Sequence, residues 1–339
     1  MTQDVITDDA SRLAIEPHQR VELARQALYA GKHVMVEKPI SVHRADCERL
    51  IAAHRNRRQV FAAMFNQRCD PMYRKLHALV HEGALGRIQR VQWTVTNWFR
   101  PHCYYRMSDW RATWAGEGGG VLLNQCLHQL DMLQWLCGMP ARVRGFCQLG
   151  RFHNIEVEDN ITVYLEWPNR ATGVFISSTG ELPGTNRFEI AGTRGRLVLE
   201  NNTLTFTRNE VAADEWHRTS KIGFAKPDTW NITIPFGNAD NPHAAFMQNF
   251  VDAVLDGSPL NCPGEEGIGS IELANVMLYS SLLGHCGSAK HAQVLKNMIT
   301  DPEKNKNSGL AGMLSGYVML LPKEGKALLE GLILDGKQE

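Results

Sequence analysis

The sequence feature that most constrains the fold is a triple glycine that runs directly into a strongly apolar segment at residues 118–137. The segment is apolar nearly all round, so a helix built from it is expected to be buried. Asn124, His128 and Asp131 nevertheless recur at spacings of four and three, which places them on one helical face. A polar stripe on a buried helix either forms an internal hydrogen-bonded network or faces a cavity. Because glycines let backbone or a ligand approach closely, we favour a cavity.

The first part of the chain predicts an α/β domain, because helical and strand patterns alternate along it. The predicted elements are a helix at 18–30, a strand at 33–36, a helix at 42–55, a strand at 60–65 and a helix that opens at Asp70-Pro71. Short strands alternating with helices at this spacing are typical of a parallel sheet. We place the boundary near Gly86, which gives domains of residues 1–86 and 87–339.

The second domain predicts an α+β fold with a mostly antiparallel open sheet. A strand at 91–95 and an aromatic, irregular stretch at 98–114 precede the glycine-led helix at 121–137. Six short strands follow, at 142–149, 160–167, 171–178, 187–191, 196–200 and 203–207. Turn-like links between them indicate an antiparallel meander, with the 121–137 helix covering one face. Two more helices are predicted at 243–256 and 267–284.

The composition narrows the class of protein. Lys+Arg and Asp+Glu are both 36, so no basic surface for nucleic acid or an anionic membrane is expected. No apolar run approaches the length of a membrane span, and residues 1–10 are polar and acidic, unlike a signal peptide. The eight cysteines form no C-x-x-C pair, which favours buried thiols over a disulfide framework or a zinc site. We expect a soluble cytoplasmic protein without a bound metal.

Glu37-Lys38-Pro39 follows the first predicted strand, and the carboxyl ends of parallel strands are where open α/β sheets bind ligands. An ammonium beside a substrate hydroxyl stabilises the alkoxide that develops during oxidation. By itself, however, a lysine after a strand is most often an ordinary surface residue. The functional interpretation of Lys38 therefore depends on the motifs elsewhere in the chain.

Those motifs occur in a characteristic order. They are Ala-Gly-Lys-His-Val-Met-Val-Glu-Lys-Pro at 30–39, Gly-Ala-Leu-Gly-Arg-Ile at 83–88, Trp110-Arg111, the triple glycine, Asn124 with His128 and Asp131, Phe-Glu-Ile-Ala-Gly-Thr-Arg-Gly at 188–195, and Gly-Glu-Glu-Gly at 264–267. In this combination the chain resembles the glucose-fructose oxidoreductase / inositol dehydrogenase / rhizopine-catabolism (Gfo/Idh/MocA) family of oxidoreductases. The resemblance covers about residues 13–288 and returns at 318–333.

The resemblance implies a Rossmann domain that binds NAD or NADP and a second domain whose open sheet supports a homo-oligomer. Implied substrates are sugars, cyclitols and related polyols. Lys38 matches the family lysine that contacts substrate and cofactor, and His128 matches the catalytic histidine. The resemblance also assigns Glu37, Pro17 and His18 to cofactor binding.

Three further positions are assigned to the substrate. Asn124 stands where many members of the family have aspartate, and an asparagine hydrogen-bonds without taking up a proton. Trp110 and Arg111 precede the triple glycine, and Arg111 has three alternatives: pairing with Asp131, pairing with Glu117, or binding an anionic substrate. The family chemistry agrees with the residue types, because alcohol oxidation needs a base for the hydroxyl proton and histidine titrates in the right range.

The sequence departs from the family pattern in two places. The fingerprint G-x-G-x-x-G, which binds the pyrophosphate of a dinucleotide, is absent, so we expect an incomplete Rossmann domain. Residues 289–317 do not resemble the family and are interpreted as an insertion. Two alternatives to a working dehydrogenase remain open. One is an impaired or inactive remnant that acts as a binding or oligomerisation module, and the other is an NAD-dependent glycosidase of the same family.

Overall fold

The computed structural model describes residues 17–238 and 241–284. The first part of the chain runs through α1 (Pro17–Tyr29), β1 (Val34–Glu37), α2 (Arg44–Ala53), β2 (Phe61–Met64), a 3₁₀ turn (Asn66–Cys69) and α3 (Pro71–His81). The strands β1 and β2 pair in parallel, with Val34 opposite Phe61. Asp70 caps α3 by accepting a hydrogen bond from Met72 N at 2.8 Å. The predicted α/β arrangement with parallel strands is confirmed here.

The remaining described chain forms one large sheet and the helices around it. Its elements are β3 (Ile88–Val95), α4 (His102–Tyr105), α5 (Trp114–Glu117), α6 (Leu127–Cys137), β4 (Arg142–Leu149), β5 (Glu158–Glu166), β6 (Thr172–Ser178), β7 (Asn186–Gly192), β8 (Gly195–Glu200), β9 (Thr203–Asn209), α7 (Ala213–Thr219), β10 (Thr229–Ile234), α8 (Pro242–Asp256), a 3₁₀ turn (Gly264–Gly267) and α9 (Ile268–Gly284).

The eight strands of the large sheet lie in the order β10-β9-β8-β7-β3-β6-β5-β4. Every neighbouring pair is antiparallel except β3 and β6, which are parallel, so the mostly antiparallel sheet is confirmed. The prediction of one continuous meander is wrong, because β3 enters between β6 and β7. Trp93 of β3 explains that position: it is 1% exposed and stacks on Phe188 of β7 with ring centroids 4.2 Å apart.

One face of the sheet is covered by the chain itself. The helix α9 lies along β4, where Gly145 N donates to Ser280 Oγ at 3.1 Å. The segment 118–126 lies against β5, where Val121 N donates to the carbonyl oxygen of Glu158 at 2.9 Å. The opposite face exposes apolar side chains, including Phe146 of β4 and Tyr164 of β5. Assembly of a homo-oligomer through this face stays a prediction.

The last described segment returns to the parallel strands. Ala62 of β2 forms an antiparallel bridge with Pro263, and Ala63 N donates to the carbonyl oxygen of Cys262 at 3.2 Å. The helix α9 follows directly and contacts α2. The end of the described chain therefore packs against the parallel strands and α2.

Several predictions made from the sequence fall on residues outside the described ranges, including the insertion at 289–317 and the family-like return at 318–333. Within the described ranges, no helix is long and apolar enough to cross a membrane. The seven cysteines in those ranges are free thiols, and only Cys103 among them is exposed.

Candidate active site

Lys38 follows β1, where the chain turns through a cis Lys38–Pro39 peptide. Its Nζ donates to the backbone carbonyl oxygen of Asn124 at 3.2 Å. Glu37 Oε2 accepts from Lys38 N at 2.9 Å, and Arg20 Nη1 donates to the carbonyl oxygens of Lys38 and Pro39 at 2.9 and 3.0 Å. These contacts hold the ammonium beside Asn124. Burial lowers the pKa of Lys38, and the Glu37 carboxylate partly offsets that effect.

The glycine-led helix begins at Leu127, six residues later than the sequence predicts. The N–H groups ahead of it are taken by one buried carboxylate: Glu158 accepts from Gly120 N at 2.9 Å and from Leu122 N at 3.0 Å. Because these donors point at β5, residues 118–126 form turns rather than regular helix. Burial raises the pKa of Glu158 to about 7. Asn124 therefore lies in the turn before the helix, whereas His128 and Asp131 lie within α6.

Two of the three glycines make room for neighbouring segments of the chain. Gly118 ends α5 at φ +67°, and a Cβ there would lie 2.7 Å from Val42 Cβ. A Cβ on Gly120 would overlap the backbone carbonyl oxygen of Glu158. At both positions the close approach is made by the protein and not by a ligand. This corrects the sequence interpretation, in which the glycines pointed to a cavity.

Gly120→Ala is expected to lower the free energy of unfolding by about 1–3 kcal/mol, because the added methyl meets rigid backbone rather than a flexible side chain. Chemical denaturation of the purified variant measures this loss. Gly223→Ala is the matched control, since nothing lies within 4 Å of a Cβ at that position. Equal midpoints for the two variants would contradict the close approach of Gly120 to β5.

Asn124 connects Lys38 to a buried carboxylate that the sequence analysis did not assign to the site. Its backbone oxygen accepts a hydrogen bond from Lys38 Nζ, and its side-chain Nδ2 donates one to Glu117 Oε1. Glu117 is 6% exposed, and its Oε2 accepts from Ala112 N at 2.6 Å. Burial raises the pKa of Glu117, while the Ala112 N–H and the Arg111 guanidinium oppose the rise.

His128 lies one turn beyond Asn124, in the first turn of α6, with its ring edge-on to Phe65 at a centroid distance of 5.8 Å. Its Nδ1 is buried and has no hydrogen-bond partner among the described residues. Burial lowers the pKa of His128 to about 3, and the charges of Lys38 and His243 add to the effect. The imidazole is therefore neutral at physiological pH, which is the form that accepts a proton.

Asp131 does not belong to this site, although the sequence places it on the same helical face. It forms a buried ion pair with Arg68, in which Nε and Nη2 donate to the two carboxylate oxygens at 2.8 and 2.7 Å. Arg68 is 2% exposed and Asp131 is fully buried. Burial alone would lower the pKa of Arg68, but the Asp131 carboxylate raises it. This pair links the turn after β2 to α6.

Trp110 and Arg111 lie beside Glu117. Of the three alternatives for Arg111, the structure shows the pairing with Glu117, at 3.7 Å from Nη1 to Oε1. Nη1 also donates to Tyr104 Oη at 2.7 Å, and the guanidinium carbon lies 4.6 Å from the Tyr104 ring centroid and 4.9 Å from that of Trp110. The arginine is thus held by two aromatic rings next to the carboxylate that orients Asn124.

The described residues fit one end of a dinucleotide. Glu37 and Lys38 lie at the carboxyl end of β1, which is where open α/β sheets bind their ligands. Pro17 and His18 begin α1, and their side chains lie outside the described part of the structure. No G-x-G-x-x-G turn lies in residues 17–238 or 241–284 to bind a pyrophosphate.

Two family profiles match successive parts of the chain. The profile of an oxidoreductase family with an NAD-binding Rossmann fold matches residues 4–65. The profile of the GFO/IDH/MocA C-terminal domain matches residues 73–198.

Individual proteins agree with the profiles. The myo-inositol 2-dehydrogenase of Thermotoga maritima is 26% identical over 76% of this chain and 73% of its own length. The levoglucosan dehydrogenase of Pseudarthrobacter phenanthrenivorans is 26% identical over 61% of this chain and 59% of its own. The crystal structure of the WlbA dehydrogenase from Chromobacterium violaceum, in complex with NADH and UDP-GlcNAcA, aligns with a TM-score of 0.66 and 26% identity, covering 79% of this chain and 74% of that one.

Proposed function

The chain belongs to the GFO/IDH/MocA family of NAD-binding oxidoreductases, and we propose that it oxidises a CH–OH group of a sugar, cyclitol or related polyol. The observation that carries the proposal is the grouping of a lysine ammonium, an asparagine and a neutral histidine around one turn of chain. The relatives named for inositol and levoglucosan support the substrate class. NAD or NADP supplies the hydride acceptor when bound.

His128 serves as the base in this proposal. Its imidazole is neutral, and its buried Nδ1 has no hydrogen-bond partner among the described residues, so this nitrogen is left to interact with a substrate. Lys38 supplies positive charge next to Asn124, where it stabilises the negative charge that develops on the substrate oxygen. The two groups have different roles: the histidine accepts the hydroxyl proton, and the lysine stabilises the alkoxide.

Asn124 orients the substrate hydroxyl, and we assign Trp110 and Arg111 to the sides of the substrate site. Glu37 and Lys38 hold the reacting end of the cofactor, and Pro17 and His18 are proposed as further cofactor contacts. Aromatic rings such as Trp110 suit the apolar C–H faces of sugars.

The alternative is a remnant that keeps the substrate residues without binding a cofactor. The observation in its favour is the lack of a glycine-rich phosphate turn in the described residues. It predicts the same fold, the same Lys38 contacts and no affinity for nicotinamide dinucleotides.

Titration of the purified chain with NADH and NADPH, followed by nicotinamide fluorescence, separates the two. We expect saturable binding in the micromolar range, with a preference for one dinucleotide. Lys38→Met is expected to weaken binding. Lys221→Met, which removes an exposed lysine between α7 and β10, is expected to leave binding unchanged. Absence of binding up to millimolar concentration, in protein whose circular dichroism shows it folded, would contradict the dehydrogenase and favour the remnant.

A further inference from the structure

We infer that Glu117 is a positioning residue of the proposed site, which fixes the end of the Asn124 amide that faces the substrate. The inference rests on the proposed oxidation, because Asn124 is the residue assigned to the substrate hydroxyl. Glu117 ends the short helix α5, whose N-terminus is capped by Thr113 accepting from Gly116 N at 3.0 Å. The following turn at Gly118 brings the chain back, so that residue 117 faces residue 124.

Both contacts of the Glu117 carboxylate come from donors. Ala112 N donates to Oε2 and Asn124 Nδ2 donates to Oε1. Because Asn124 Nδ2 donates a hydrogen bond to Glu117, the Oδ1 atom of the same amide is the one that can contact a substrate. That oxygen receives no hydrogen bond from any residue in the described ranges. An acceptor in this position is suited to a substrate hydroxyl next to the one that is oxidised, because the oxidised hydroxyl has a single proton and gives it to His128.

Only a carboxylate satisfies both donors at once. A glutamine at 117 has one oxygen, and if that oxygen stays on Ala112 N its NH2 group meets the NH2 group of Asn124. Two donors face to face repel, so the Asn124 amide must rotate by half a turn. It would then present Nδ2 to the substrate instead of Oδ1, which turns an acceptor into a donor.

Glu117 also acts on Lys38 through charge. The charged and titratable groups that face Lys38 are Glu37, Arg20, Cys126, Glu117 and His128. Burial is the main cause that lowers the pKa of Lys38, and Arg20 adds to it, whereas the charges of Glu37 and Glu117 oppose the lowering. Many members of the family have a carboxylate at position 124, and in this chain the Glu117 carboxylate acts on the same lysine through its charge.

The test is Glu117→Gln, with Glu156→Gln as a matched control. Glu156 is an exposed carboxylate that accepts from Trp114 N at 3.1 Å, a contact that glutamine also makes. We expect Glu117→Gln to lower kcat/KM by about 10- to 100-fold through a misoriented substrate, with a larger change in kcat than in KM. The control is expected to keep the wild-type values.

A second readout does not depend on activity. In protein labelled at lysine Cε, the Lys38 NMR signal, assigned by its absence in Lys38→Arg, reports the pKa of that lysine. Loss of the Glu117 charge is expected to lower this pKa, and the double variant Glu117→Gln/Asn124→Asp is expected to restore it by returning the carboxylate to position 124. The wild-type protein could prove inactive while the Lys38 pKa still falls in Glu117→Gln and returns in the double variant. That result would overturn the proposed oxidation but would support the link between Glu117 and Lys38.

Two outcomes would overturn the inference. One is a folded Glu117→Gln with unchanged kcat/KM and an unchanged Lys38 titration. The other is an equal loss in Glu117→Gln and Glu156→Gln, which would mean that any lost charge on this loop disturbs the site.

Discussion

Replacing His128 by alanine is expected to lower kcat for sugar or polyol oxidation by about 100- to 10,000-fold, the usual contribution of a positioned general base. The reason is local: burial keeps the His128 imidazole neutral, and His128 lies close enough to Lys38 for the lysine charge to act on its pKa. Initial rates of NAD(P)H formation at saturating substrate measure the loss. Binding of NADH is expected to change little, since the ring is assigned to the substrate and not to the cofactor.

The matched control is His217→Ala, which removes an exposed histidine from α7. The pH profile adds a further check, because kcat/KM reports the free enzyme. With the pKa of His128 lowered to about 3, its basic form persists as pH falls, and no inflection is expected near the ordinary histidine value of about 6.5. A His128→Ala enzyme that keeps more than a tenth of wild-type kcat would contradict the assignment of His128 as base.

The largest effect on stability is expected for Asp131→Ala. Without the Asp131 carboxylate, the buried Arg68 guanidinium keeps only its pair with the half-exposed Glu266, and this loss costs about 3–5 kcal/mol of unfolding free energy. For a chain of 339 residues this corresponds to a fall in Tm of roughly 4–7 °C. Differential scanning calorimetry or chemical denaturation measures the change.

The double variant Arg68→Met/Asp131→Leu tests whether the loss of stability comes from an uncompensated buried charge or from the loss of a packing contact. Removing both charges leaves no uncompensated ion, so the double variant is expected to be far closer to wild type than Asp131→Ala. Glu266 also pairs with Arg68 but is 51% exposed, and Glu266→Gln is expected to cost less than about 1 kcal/mol. A double variant as unstable as the single one would contradict this explanation.

Local signals in the sequence were enough for most elements. The Asp70-Pro71 start of α3 depends only on an N-cap and a proline, and it was predicted correctly. The position of β3 was not predictable in this way, because its alternating pattern shows a half-buried strand but not which strands lie beside it. The strand β10 was missed, because almost all of its side chains are exposed and its sequence therefore lacks the alternation of buried apolar and exposed polar residues that indicates a strand.

The candidate site shows the same limit. Lys38, Asn124 and His128 could be selected from motifs, and the structure brings them together around residues 118–128. Glu117 could not be selected, because its meaning depends on a turn at Gly118 that returns it to Asn124. The sequence placed Asp131 on the same helical face as His128. In the structure, however, Asp131 forms an ion pair with Arg68, which comes from a distant part of the chain.

The most direct test of the proposed oxidation is NAD(P)H formation by the purified chain on a panel of cyclitols, aldoses, anhydrosugars and sugar acids. Wild type and His128→Ala are assayed side by side with NAD and with NADP. We expect at least one substrate to yield NAD(P)H with wild type and about 100-fold more slowly with the variant. Folded wild-type protein that binds NADH and yet oxidises no member of the panel, or oxidises it as fast as His128→Ala does, would contradict the function proposed for this chain.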